Sequence, residues 1–246
     1  MAEIQGRIAL VTGAAGGMGR AITRALIESG RRVVLVDRDA KSVRALAAEM
    51  GDATCAVELD ITDAKKVDGL LDLIPNGFKP IDILINNAGH DIGGRTRFDI
   101  GSPDDWSNII ATNLIGLMRV TRSVLPDMVR RNAGHIVNIS SINAVRIIPD
   151  MAAYSTSKAG VHMFTETIRG ELAETAIRVT EIQPGLTRTN IIATRYRGDK
   201  QKEKEYFDQF KIALDPADVA RSIVFAIDQP PHVQIAEMMI LPVNRY

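Results

Sequence analysis

Short apolar runs alternate with helix-patterned stretches along nearly the whole of this chain, and that alternation is its strongest constraint. The runs fall at 8–12, 32–37, 53–59, 81–85, 135–140, 177–182 and 234–241. Several hold consecutive apolar residues rather than apolar residues at every second position, as at 8–11 and 33–36. Such strands are covered on both faces, which is the condition of a parallel sheet joined by helical crossovers. The intervening segments carry helix signals. Gly30 stops a first helix, and Ser102-Pro103-Asp104-Asp105 supplies an N-cap, a proline at the first helical position and two acids at the positive end. The pattern predicts one α/β domain over 1–246, a doubly wound parallel sheet of about seven strands with helices on both faces. Helices are expected at 40–50, 64–74, 102–131 (with a bend near Pro126) and 215–227, and the charged run GDKQKEK from Gly198 reads as a solvated surface segment.

Composition narrows the function classes. Thirty basic residues balance thirty acidic ones in 246, so no charge excess points to nucleic acid or an anionic membrane. The lone cysteine, Cys55, excludes an internal disulfide and a paired-cysteine metal knuckle, and reads as core filler. No apolar stretch approaches the ~20 residues that cross a bilayer, and 8–11 is too short for a signal segment. A soluble, cytoplasmic protein is expected.

The first apolar run ends in Thr12-Gly13-Ala14-Ala15-Gly16-Gly17-Met18-Gly19 and leads into a helix. A glycine turn between strand and helix offers backbone N–H groups at a positive helix end, a place for a pyrophosphate. The sheet is therefore of the Rossmann type. Asp37 closes the second strand, twenty residues after Gly17. An acid there accepts hydrogen bonds from the adenosine ribose hydroxyls and repels a 2′-phosphate. NAD is the expected cofactor and NADP the lesser alternative, with Arg38 as the counter-argument.

Residues 134–160 hold the chemistry. A strand ends at Ser140-Ser141, and Tyr154 and Lys158 follow four apart on one helix face. A phenol with a pKa of ~10 is a poor base at neutral pH, but a neighbouring ammonium favours the phenolate. Ser141 can donate to an oxygen that gains charge. Together they form a proton-handling group without histidine or metal.

Taken in order, Thr12-Gly13-x-x-x-Gly17-x-Gly19, Asn86-Asn87-Ala88-Gly89, Asn113, Ser141, Tyr154-x-x-x-Lys158 and Pro184-Gly185 resemble the short-chain dehydrogenase/reductase family over essentially the full chain. The resemblance implies a hydride transfer between a nicotinamide and an alcohol or carbonyl, with Asn113, Ser141, Tyr154 and Lys158 catalytic. Its spacing of thirteen between serine and tyrosine selects Ser141, leaving Ser140 as a strand-end residue. It also implies that Lys158 holds the nicotinamide ribose, and that Asn113 positions a water linking Lys158 to solvent. Asp60 and the Ile61 backbone are assigned to the adenine, and Asn87, with Ala88 and Gly89, to the adenine-side ribose. Gly13, Gly17, Met18 and Gly19 belong to the pyrophosphate, while Pro184, Gly185, Thr187 and Thr189 belong to the carboxamide.

Within the family, 179–198 and the ending HVQIAEMMILPVNRY resemble the branch acting on serine and small 3-hydroxy acids, whose members often favour NADP. The expected substrate is a small polar or anionic alcohol or carbonyl compound. His90, Arg95, Arg97, Arg146, Arg188, Arg195 and Arg197 lie in loops expected at the mouth of the site. A guanidinium suits a carboxylate or sulfonate, and Arg195, then Arg146, is the leading anchor. His135 and His162 read as structural, and Met238 and Met239 as core or subunit contacts. The resemblance implies a homotetramer, with a dimer as the alternative and the tail ending at Tyr246 packed on a neighbour. A 3-oxoacyl thioester reductase and a non-catalytic nucleotide-binding regulator are the rival readings.

Overall fold

A computed structural model describes residues 6–210 and 212–243. Its strands are β1 (Ile8–Thr12), β2 (Arg32–Asp37), β3 (Thr54–Glu58), β4 (Ile83–Asn86), β5 (Gly134–Ile139), β6 (Ile177–Pro184) and β7 (Glu237–Ile240). All neighbours pair in parallel, in the order β3-β2-β1-β4-β5-β6-β7. Successive strand residues serve opposite cores. Leu10, Val34, Leu84 and Ile136 pack on one face, whereas Ala9, Val11, Val33, Leu35 and Ile83 pack on the other. Each buried aliphatic side chain contributes ~1.5–3 kcal/mol, and this double coverage is why stretches such as 8–11 and 33–36 are apolar at consecutive positions.

The helices are α1 (Gly17–Glu28), α2 (Ala40–Met50), α3 (Ala64–Asp68), α4 (Leu70–Leu73) and α5 (Pro103–Ile110). They continue with α6 (Leu117–Arg131), α7 (Ala152–Glu171), α8 (Ile191–Arg195), α9 (Lys200–Asp208) and α10 (Pro216–Ile227). Helices α1 and α10 bring Ile22, Leu26, Val219 and Ile223 to one core. Helices α6 and α7 bring Val120, Val124, Met128 and Ile168 to the other. Caps occur where the sequence calls for them: Ser102 accepts from the Asp105 N–H at the start of α5, and Asp215 and Asp218 form a capping box on α10. Cys55 packs as partly buried filler against the first core.

Four expectations change. The charged run after Gly198 is helical: Asp199 accepts from the Gln201 and Lys202 N–H groups and caps α9, none of whose residues is buried. The helix expected at 64–74 is divided at Gly69, which caps α3. The helix at 102–131 is interrupted by a π turn over Ala111–Gly116, while Pro126 stays inside α6. The last strand is shorter than 234–241, because before Glu237 side chains make the bonds to β6: the Val179 N–H donates to Gln234 Oε1 and Thr180 Oγ1 donates to the Ile235 carbonyl. The tail expected to meet a neighbour ends at 244–246, outside the described residues. No helix among the described residues is long and apolar enough to cross a membrane.

The chain runs outward from β1 to β3 and then returns to place β4 on the other side of β1. At such a reversal the loops after two adjacent strands diverge and leave a crevice at their carboxyl ends. The glycine turn after β1 and Asn87-Ala88-Gly89 after β4 both stand there.

Candidate active site

A cleft of about 580 Å³ follows the carboxyl ends of the strands. Gly13, Gly17, Met18 and Gly19 line it from the turn after β1, Asp37 from β2, and Asp60 and Ile61 from the end of β3. Asn87, Ala88 and Gly89 enter after β4, Ser141 after β5, and Tyr154 and Lys158 from α7. Pro184, Gly185, Thr187 and Thr189 close it from β6 and its loop, with Arg146 and Arg195 also in the wall. Of the expected site residues, Asn113 alone lies beneath the surface of the cleft.

The glycine turn is set by close approach. Gly13 has φ 64°, and a Cβ there would stand 2.8 Å from the Ala88 Cα. A Cβ on Gly19 would meet the Gly13 carbonyl oxygen at 2.2 Å. Thr12 Oγ1 accepts from the Asn87 and Ala88 N–H groups, each at 3.0 Å. Asn87 Nδ2 donates back to the Thr12 and Gly13 carbonyls at 2.9 and 3.1 Å. Asn87, expected at the ribose, therefore also clamps β1 to β4. The α1 terminus has no side-chain cap and no acid in its first turn, and its first residues line the cleft. Such a terminus suits a pyrophosphate. Asp37 accepts from the Ala15 N–H at 3.0 Å and the Asp39 N–H at 3.0 Å. It braces the turn as well as lining the cleft. Asp60 accepts from the Thr62 N–H and hydroxyl at 2.9 and 2.8 Å.

The proton-handling group assembles on β5 and α7. Ser141 Oγ accepts from the Asn143 N–H at 3.2 Å and hydrogen-bonds to the Tyr154 hydroxyl. Lys158 Nζ donates to the Ile139 carbonyl at 2.9 Å and lies 5.8 Å from the centre of the Tyr154 ring. Burial, aided by the Asp91 charge and opposed by the Ser141 bond, pushes the Tyr154 phenol up to about 12. Burial also pulls Lys158 down to about 8, against the raising charges of Glu181 and Asp91. The expected lowering of the phenol by Lys158 is thus overridden. Desolvation disfavours both charged forms, and the ammonium is turned to a carbonyl instead of the phenol.

Asn113 sits in the π turn, fully buried. Its Oδ1 accepts from the His90 N–H at 2.9 Å, and its Nδ2 donates to the His90 carbonyl at 2.9 Å and to Ser157 Oγ at 3.1 Å. The side chain therefore anchors the loop after β4. It also adjoins Lys158: a Cβ on Gly89 would touch Asn113 Oδ1 at 3.1 Å and Lys158 Nζ at 3.6 Å. Glycine at 160 lets α7 close on this turn, since a Cβ there would meet Leu114 at 2.7 Å. π turns gather at functional sites, but nothing in the local sequence announces this one.

Ser140 also lines the cleft, but its hydroxyl donates to the buried Glu181 carboxylate. His162 Nδ1 lies 2.7 Å from Glu181 Oε2, and this contact raises the histidine pKa. His135 is buried against Thr180 Oγ1 at 2.8 Å, with its pKa held well below the usual value by desolvation. Both histidines are structural, as expected.

The arginine cluster divides. His90, Arg95, Arg146 and Arg195 line the cleft. Arg97 instead pairs with Asp99, Arg197 pairs with Asp105 at 2.7 Å, and Arg188 is exposed on the outer surface. Arg146 Nη2 donates to Met239 Sδ at 3.5 Å. Arg195 is buried, joined through Nε to Asp91 Oδ2 at 2.7 Å and stacked over Tyr206. Asp91 and Tyr206 were not among the expected site residues. The first follows the asparagine motif without belonging to it, and the second is hidden in a charged helix. Tyr206 and Phe210 complete the wall.

Known proteins resemble this chain. A family model for short chain dehydrogenase matches residues 7–200. An NADP-dependent 3-hydroxy acid dehydrogenase of Escherichia coli is 38% identical over 240 residues, covering 97% of this chain and 96% of its own. The closed form of serine dehydrogenase complexed with NADP+ is similar with a TM-score of 0.94 at 37% identity, covering 97% of this chain and 96% of that one. A 3-ketoacyl-(acyl-carrier-protein) reductase from Brucella melitensis complexed with NADH gives 0.84 at 28%, covering 97% and 98%. The likeness extends over nearly the full chain and includes serine and 3-hydroxy acid dehydrogenases. The chain belongs to the short-chain dehydrogenase family and is a nucleotide-binding oxidoreductase.

Proposed function

We propose that this protein is a nicotinamide-dependent alcohol dehydrogenase or carbonyl reductase acting on a small polar or anionic hydroxy compound. The observation that carries the reading is the convergence of Ser141, Tyr154 and Lys158 with the glycine turn on one cleft. A bound dinucleotide supplies the hydride donor or acceptor. In the reducing direction the carbonyl oxygen becomes an alkoxide and takes the proton from Tyr154 Oη, giving the alcohol; oxidation is the reverse. A phenol held protonated up to about pH 12 suits the acid role. Ser141 Oγ donates to the same oxygen as charge grows there. Lys158, at about 8, exchanges protons near the working pH, and Asn113 holds the loop beside it. Tyr154→Phe with unchanged folding tests the mechanism: persistence of activity would reject it.

NAD is the proposed cofactor because Asp37 lines the cleft, braced with its carboxylate at the turn. Arg38 also lines the cleft, and two of the similar proteins are described with NADP. A kcat/KM with NADP equal to or above that with NAD would reject the preference. For the substrate, Arg195→Ala should raise KM for an anionic hydroxy acid far more than for its neutral analogue, and equal effects would remove that part. A 3-oxoacyl thioester reductase is the second reading, favoured by the likeness to the Brucella reductase. A panel of hydroxy acids, sulfonates, sugar alcohols and an acetoacetyl thioester, assayed with both cofactors, separates the two. A regulator without chemistry would not be expected to keep Ser141, Tyr154 and Lys158 together.

The chain is proposed to act as a homotetramer. Ile115 and Met118 beside α6, Met163 on α7, Phe225 on α10 and Met239 on the sheet edge are exposed apolar residues, the kind that subunit contacts cover. Light scattering coupled to size exclusion checks it: a dimer would reduce the claim to one contact, and a monomer would end it.

A further inference from the structure

Arg195 reaches the cleft wall at the end of α8, and Asp91, from the loop after β4, stands behind it. The two are 6% and 2% exposed, and they meet across 104 residues of sequence. The guanidinium lies 4.9 Å from the centre of the Tyr206 ring. Arg195 lines the main cleft and Asp91 does not. Asp91 borders instead a separate cavity of about 30 Å³ that touches Tyr154 on its other side. The Tyr206 side chain also hydrogen-bonds to the Arg195 guanidinium, whose Nη1 is buried without a hydrogen-bond partner among the described residues. A buried donor left without an acceptor is costly, so one kept in that state at a cleft wall points to a ligand that brings the acceptor. An anion is drawn strongly by a lone guanidinium, but weakly by one whose charge a carboxylate cancels at hydrogen-bond distance.

We propose that Asp91 sets how strongly the substrate pocket prefers an anion. It holds Arg195 by the Nε edge, leaves Nη1 for an acceptor on the substrate, and screens the guanidinium charge until it takes up a proton. This rests on the reading that the cleft takes a small polar or anionic hydroxy compound. Asp91 is a positioning residue, acting through Arg195.

Burial raises the Asp91 carboxyl to about 6, against the lowering charges of Arg195, Arg95 and Lys158. The groups that face it are Arg195 from α8, Arg95 from its own loop, and Tyr154 and Lys158 from α7. Asp105 of α5 and Asp150 before α7 lie across the small cavity, and Asp105 is engaged by Arg197. The sign follows. Below about pH 6 Asp91 is neutral, Arg195 is uncompensated and an anion binds more tightly; above it the pair is neutral and the preference fades.

The probes are 3-hydroxypropionate, which stays ionised over this range, and its neutral counterpart 1,3-propanediol. Both are measured with the full chain and NAD, as KM and as calorimetric affinity for the enzyme–NAD complex. From about pH 7.5 to about pH 5.5, KM for the acid should fall about fivefold to tenfold while that for the diol stays within about twofold. Asp91→Asn, which keeps an acceptor for Nε, should hold the acid's KM low across the range. It should also move the alkaline limb of kcat to lower pH, because the Asp91 charge is one of the causes raising Tyr154. Parallel changes for the two probes, or an Asp91→Asn enzyme that keeps the wild-type pH dependence, would overturn the proposal. If that variant does not fold, the wild-type series decides alone. Binding of the acid with this pH dependence but without oxidation would end the substrate reading and leave the proposal standing. Oxidation with a pH-independent KM would do the opposite, and binding of neither probe would end both.

Discussion

The two ends of the cleft are built by different means. At the cofactor end the parts are joined mostly backbone to backbone or by short side chains to backbone. Thr12 and Asn87 clamp β1 to β4, and Asp37 accepts from the turn it faces. At the substrate end the wall is a buried ion pair between loops 104 residues apart, covered by an aromatic ring from α9. The first construction tolerates few residue types, because a Cβ at Gly13 or Gly19 collides with backbone. The second needs only that two opposite charges meet, and many side chains could line the same space. On the proposed function, cofactor binding falls to the constrained half and substrate selectivity to the permissive one.

That contrast can be broken at several points. Tyr154→Phe carries the largest expected effect: kcat should drop ~10²–10⁴-fold while the melting temperature and the binding of NAD hold nearly constant. A loss of cofactor binding of similar size would show that the two halves are not separable. Asp37→Ser removes an acceptor from the Ala15 N–H as well as from the ribose. Its kcat/KM with NAD should fall by about tenfold or more, with a much smaller loss, or a gain, for NADP. Asn113→Ala leaves the His90 N–H and carbonyl without their partners. It should cost about 1–3 kcal/mol in denaturant unfolding, with a further loss of kcat because the loop carrying Gly89 is released beside Lys158. A stability loss with no effect on kcat would make Asn113 purely structural.

The smallest effect concerns Glu181 and His162, behind the active group. The Glu181 contact raises the His162 pKa above its unfolded value of about 6.5. The folded state then holds the proton more tightly, so this contribution is fully present below about pH 6.5 and is lost as pH rises through the raised folded value. His162→Gln should flatten the pH dependence of the melting temperature in that window. An unchanged slope would assign the dependence to other groups.

Much of this organisation can be read from residues alone, for reasons that differ from case to case. The strands were legible because both faces of the sheet are covered, which makes 8–11 and 33–36 apolar at consecutive positions. The choice of Ser141 over Ser140 followed from spacing, and the hydroxyls are engaged differently: that of Ser141 bonds to Tyr154, that of Ser140 donates to Glu181. The α9 helix was missed because its aromatic residues, Tyr206 and Phe207, come late, after a run of charges that resembles any solvated segment. The effect of burial on Tyr154 and Lys158 was not foreseeable either. Four-residue spacing says that two side chains share a helix face, but not how much water remains around them or where the ammonium turns.

The sequence by itself determined the sheet, the glycine turn, the acid at the end of β2 and the serine–tyrosine–lysine group. Each depends on local backbone geometry or on apolar patterning, and both are written in consecutive residues. Only the tertiary structure decided which arginine faces the cleft, that Asp91 stands behind it, that Asn113 sits in a π turn, and that the phenol is held protonated. Those outcomes depend on contacts between distant segments and on loss of solvent, which exist only once the chain is folded.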